Sequence, residues 1–341
     1  MLPHPDPIAA PRPLHLRPIP RGDAFLDVSA PSAASLAAEA EAWRDLLARA
    51  LEPNLFAGPD VMLPALQHLD AGRGVTLAAV REGPRLLGLF PLVTSRVLPF
   101  AAARLWRPPL APLGTPLVAA DRAEAVIRAL LDWLAGHARR PGVLDLDGLQ
   151  PDGSLAAAFA RVAEATGRRL STSPAPAPVS PPVVASAAPA AVVQGGTPRE
   201  VRDGVEHFLI LEAASAGRRG VPALIQAPGR ANYVRTATRH LARRGLCRVS
   251  LDRVGGEVAA ATVLVGAGAA ARPWLAATGD DAAAPADART LPAKGDGAML
   301  CDLRIAVRAG NTPRRAAGYA GRGAWAPVNG NDPLAPQGPP R

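Results

Sequence analysis

The 341-residue chain is long enough for two ordinary domains, and its 48% apolar content is that of a packed globular protein. The net charge of +9 rests on scattered arginines, Lys294 being the sole lysine, with neither long basic runs nor interleaved aromatics to mark a nucleic-acid surface. No stretch approaches the ~18 uninterrupted apolar residues of a membrane span, and the six histidines never fall at metal-ligand spacing. Cys247 and Cys301 stand far apart and read as reduced, buried thiols of a cytoplasmic protein. The first twenty residues, studded with proline, lack the apolar core of roughly 7–15 residues that a signal peptide carries.

Proline-rich composition marks residues 1–23 and 326–341 as disordered tails, and the uncharged Ala/Pro/Ser stretch 171–198 as a linker between 24–170 and 199–325. In the first part, Leu36, Trp43, Leu46, Leu47 and Ala50 recur at helical spacing and predict a helix over 33–51, with a second over 61–69. Residues 75–80 and 86–93 read as a hairpin turning at Glu82-Gly83-Pro84. A short strand and loop over 105–118, a helix over 122–138, a strand over 143–149 and a helix over 154–166 closed by Gly167 complete it.

The second part repeats this grammar. Helices over 201–215 and 232–244 precede a hairpin, 247–266, that turns at Gly255-Gly256, then a strand over 272–278. A glycine loop and a helix over 298–308 close it. Two helix-and-hairpin halves suggest a tandem duplication.

The segment richest in chemistry is 291–307. Lys294, Gly295 and Gly297 stand before a predicted helix opened by Ala298, and first-turn N–H groups behind small residues are suited to an anion. A plain glycine loop is the competing reading, and Asp296 sets a negative charge where an anion would lie. Gln226-Ala227-Pro228-Gly229-Arg230-Ala231 has a similar pattern and also precedes a predicted helix; it reads as a chance match. Glu212, on an apolar helix, is a candidate general base; a surface carboxylate paired with arginine is the bland alternative.

Residues 43–61, 83–93, 113–118, 208–213 and 243–265 resemble the GNAT-related acetyltransferases of the CelD/BcsL type, found beside bacterial exopolysaccharide genes and similar in architecture to the FemAB transferases. The resemblance implies an α/β (α+β) fold of two GNAT-like halves, each a mixed, mostly antiparallel sheet flanked by helices. It implies acetyl transfer from acetyl-CoA, as co-substrate and without a metal, to the amine of a small molecule such as a sugar or amino-acid derivative. Lys294, Gly295, Gly297 and Ala298 would then bind the pyrophosphate, and Glu212 and Asp280 would be catalytic. The chain departs from the family where Trp and Lys should follow Leu-Glu-Ala, and a Tyr-Asp-Glu element is reduced to Gly279-Asp280-Asp281. Those departures fall on the expected site and spare the scaffold, so a catalytically inactive scaffold of the same fold is the second reading.

Overall fold

The computed structural model describes residues 26–70, 74–97, 100–136, 141–150, 152–175, 191–279 and 300–310. In chain order the first half contains β1 (Asp27–Ser29), α1 (Ala33–Ala38), α2 (Ala40–Ala48), a 3-10 turn (Leu55–Ala57), α3 (Pro59–Leu69), β2 (Thr76–Glu82), β3 (Arg85–Val97) and β4 (Phe100–Leu105). It continues with β5 (Leu117–Val118), α4 (Ala123–Gly136), β6 (Val143–Leu149), α5 (Ser154–Thr166) and β7 (Leu170–Ala175). The second half contains β8 (Ala191–Gly195), α6 (Pro198–Arg219), a 3-10 turn (Leu224–Gln226), α7 (Pro228–Arg243), β9 (Cys247–Val254), β10 (Glu257–Val265) and β11 (Arg272–Thr278). A last strand, β12 (Leu300–Ala306), follows.

Two sheets result. The larger runs β1-β2-β3-β4-β6-β12-β7, with β5 also on β3, and the smaller runs β11-β10-β9-β8. The first four strands of the larger sheet and the four of the smaller have the same order and the same antiparallel sense. Both expected hairpins therefore occupy the same place in their sheets. That of β9 and β10 turns through Gly255 and Gly256, at φ +62° and +92°, a pair of signs that glycine adopts without strain.

The helices repeat as well. Leu55-Phe56-Ala57-Gly58-Pro59 and Leu224-Ile225-Gln226-Ala227-Pro228 each form a 3-10 turn, and each proline sits in the first turn of the helix that follows, where no N–H is needed. The Gln226–Ala231 string is thus the counterpart of the start of α3. Helices α3 and α7 then pack antiparallel across the middle of the molecule. A Cβ on Gly229, early in α7, would lie 2.5 Å from the carbonyl oxygen of His68, late in α3, so only glycine fits. The buried apolar residues of both halves form one continuous cluster.

The structure corrects four readings. The stretch 171–198, expected to be a linker throughout, carries β7 up to Ala175 and β8 from Ala191 to Gly195, each paired in a sheet. The first predicted helix breaks at Glu39 into α1 and α2. Strand β4 was not expected, because Phe-Ala-Ala-Ala-Arg-Leu has no apolar alternation to announce it. The helix expected over 298–308 is strand β12 from Leu300 onward. Cys301, Leu303, Ile305 and Val307 are all buried, a period of two, while Asp302 and Arg304 face the other way. The strand lies between β6 and β7, antiparallel to both. A segment that follows the second half thereby completes the sheet of the first.

Candidate functional site

Of the residues singled out from the sequence, Glu212 lies within the described residues; Asp280, Lys294, Gly295, Gly297 and Ala298 lie outside them. Glu212 is half-buried on α6, and its Oε2 accepts the N–H of Leu224 at 2.8 Å. Gln226 closes the same 3-10 turn by accepting the N–H of Ala223 at 3.0 Å. The first half uses a different atom for the same purpose: the buried indole of Trp43 donates to the Ala57 carbonyl of its own 3-10 turn at 2.9 Å. In each half, then, a helix reaches over to fix the turn that launches the next helix.

Strand β11 ends beside Leu211, the neighbour of Glu212 in sequence. The Gly279 N–H donates to Ala259 at 2.7 Å, and a Cβ on Gly279 would meet the Leu211 side chain at 3.3 Å. Arg218, about two turns further along α6 than Leu211, reaches the Thr278 carbonyl at 3.4 Å. The fold thus brings the residue preceding Asp280 to the neighbour of Glu212, 68 positions away in sequence. Among the described strands β11 is an edge of its sheet.

The strand in the equivalent place of the first half, β4, is not an edge. It pairs in parallel with β6 from Ala102↔Val143 to Arg104↔Asp145, and there the pairing stops although β6 runs on to Leu149. Loop 106–116 leaves the sheet at this point, between β4 and β5, both of which lie along β3. Around it, Arg104 donates to Asp147, and Arg304 grips Asp145 at 2.6 and 3.0 Å. Burial pushes the Asp147 carboxyl above its ordinary value, with Arg104 pulling the other way. Leu110 in this loop has φ +72°, a left-handed conformation that costs a branched residue about 1–2 kcal/mol.

What holds Leu110 there is Trp274. Its Nε1 donates to the Leu110 carbonyl at 2.8 Å. Trp274, on β11, is 3% exposed and makes edge contacts with Phe56, 5.5 Å between centroids, and with Tyr233 at 5.9 Å. The Tyr233 hydroxyl is buried without a hydrogen-bond partner among the described residues, and burial raises its pKa. Sequence reasoning missed this cluster. Its one signal was rarity, since five tryptophans and two tyrosines serve the whole chain.

The model of the acetyltransferase (GNAT) domain matches residues 184–291, a span that contains β8, α6, α7 and β9 to β11. Comparison with curated proteins finds no match. Among solved structures the chain is similar to FemX, at 11% identity and TM-score 0.45, over 75% of this chain and 81% of that one. It is similar to a conserved protein of unknown function from Bacteroides thetaiotaomicron, at 11% identity and TM-score 0.45, over 83% and 99%. A tandem GNAT protein from the clavulanic acid biosynthesis pathway is matched at 18% identity and TM-score 0.32, over 74% and 79%. The fold is mixed α/β, a large and mostly antiparallel sheet flanked by helices, consistent with a tandem GNAT-like arrangement. No helix among the described residues is long and apolar enough to cross a membrane.

Proposed function

We propose that the chain is an acyl-CoA-dependent N-acyltransferase of the CelD/BcsL type, transferring acetyl from acetyl-CoA to the amine of a small sugar or amino-acid derivative. The observation that carries this reading is the acetyltransferase-domain match over residues 184–291, the part of the chain that holds Glu212 and the end of β11. The chemistry is direct attack of a neutral amine on the thioester, with no covalent enzyme intermediate, so most of the rate comes from positioning. Glu212 and Asp280 are the candidates to take the ammonium proton, and Lys294, Gly295, Gly297 and Ala298 to hold the pyrophosphate through the glycine backbone and the Lys294 ammonium, since the helix expected behind them is strand β12.

Calorimetric titration with acetyl-CoA tests this. Lys294→Ala is expected to weaken binding by about 1–3 kcal/mol, the worth of one charge-assisted hydrogen bond. Asp296→Ala should bind more tightly than the parent, because it removes a negative charge beside a diphosphate. No binding to the unaltered chain at millimolar acetyl-CoA would leave the scaffold reading in its place.

A further inference from the structure

Ligands enter parallel sheets at the crevice beyond the carboxyl ends of strands that diverge. Among the described strands β4 and β6 are the one parallel pair, and their divergence after Arg104↔Asp145 makes such a crevice in the first half. It is already full. The Gly114 backbone lies against the Asp147 carbonyl so closely that no Cβ would fit, and its N–H reaches the Gly148 carbonyl at 3.4 Å. Arg107 comes within 3.3 Å of the position a Cβ on Gly148 would take. Between the loop and the 3-10 turn bearing Phe56 there remains a cavity of about 10 Å³, room for one water molecule. The loop that fills the crevice is tied to the second half by the bond from Trp274 to Leu110. Strand β11, in the corresponding place of the second half, has no described strand on its outer side.

We propose that acyl-CoA is taken by the second half alone, the crevice of the first half being occupied by the chain's own loop 106–116, which Trp274 holds in place. The proposal rests on the acyltransferase reading above. Titration of the full chain with acetyl-CoA, combined with hydrogen–deuterium exchange, tests it. One molecule bound per chain, with slowed exchange in 247–278 and none in 100–118 or 143–149, is the expected result. Two molecules per chain, or protection in the first-half segments, overturns the proposal while leaving the acyltransferase reading intact; no binding overturns both. Trp274→Phe keeps the ring contacts and removes the N–H donor, so amides of 109–115 should exchange at least tenfold faster. Unchanged exchange there would show that Trp274 does not hold the loop. Should that variant not fold, Arg107→Ala, which removes the donor to the Pro112 carbonyl, is the second probe: exchange at Gly114, whose N–H is held by the Gly148 carbonyl, should rise tenfold, and an unchanged rate would show that the loop is not seated in the crevice.

Discussion

Asp60 opens α3 with its carboxylate between two cations of different elements. Arg44 of α2 grips it at 3.1 and 2.8 Å, and Arg244, just past α7, stands 3.9 Å away. Asp60 is 9% exposed, so removing it strands a guanidinium with little water to replace the lost partner. Asp60→Ala should lower stability in urea by about 3 kcal/mol, the low end for a broken buried pair because Arg44 retains some solvent contact. His240 belongs to the same cluster. Burial lowers its pKa from 6.5, helped by Arg243, Arg239 and Arg44 and opposed by Asp60. A lowered value means the folded state binds the proton less well than the unfolded chain, so the contribution is complete above pH 6.5 and is lost as pH falls through the folded value. His240→Gln should therefore flatten the decline of melting temperature between about pH 7 and 5. An equal decline in the variant would place the acid sensitivity elsewhere.

Strand β12 sets what each element can do without the rest. Lying between β6 and β7, it satisfies the backbone groups of both inner edges. A fragment of residues 24–175 would carry those edges bare, and bare edges pair with other chains. It should aggregate or unfold without a cooperative transition, and adding a peptide of residues 300–310 should restore the transition in circular dichroism. A fragment that unfolds cooperatively alone would show that β12 is dispensable. The same element shows how far the sequence can be read. The β9–β10 hairpin was legible because two alternating runs flank a Gly-Gly turn that only a few conformations accommodate. In β12 an alternation was also present, but Ala298, Met299 and Leu300 extended the apolar run and imitated a helix. Of the candidate site, Glu212 was found as a carboxylate on an apolar helix. Its partner, Leu224 N–H, depends on a turn that local pattern does not announce. The tie from Trp274 to Leu110 spans 164 positions and was invisible, since nothing in either neighbourhood refers to the other.

At the scale of the molecule, two copies of one plan meet through their equivalent helices α3 and α7, and the aromatic cluster of Phe56, Trp274 and Tyr233 lies beside that seam. The Ala/Pro composition of 176–190, the part of the expected linker that lies between β7 and β8, predicts that a protease cuts there first. With α3 against α7, Trp274 on Leu110 and β12 inside the first sheet, the cut halves should still elute together at the mass of the whole chain. Two separate peaks would mean that the seam is too weak to act as a core. The place of β12 also bears on how the chain is made. Leu300 leaves the ribosome roughly 125 residues after Ala175, about 6–25 s at ordinary rates of synthesis. Through that interval β6 and β7 have no strand between them, and the nascent chain presents two open edges to every neighbour on the same message. For those seconds the inner edges of β6 and β7 await the strand that covers them, so the first sheet closes only when the last described strand has been made.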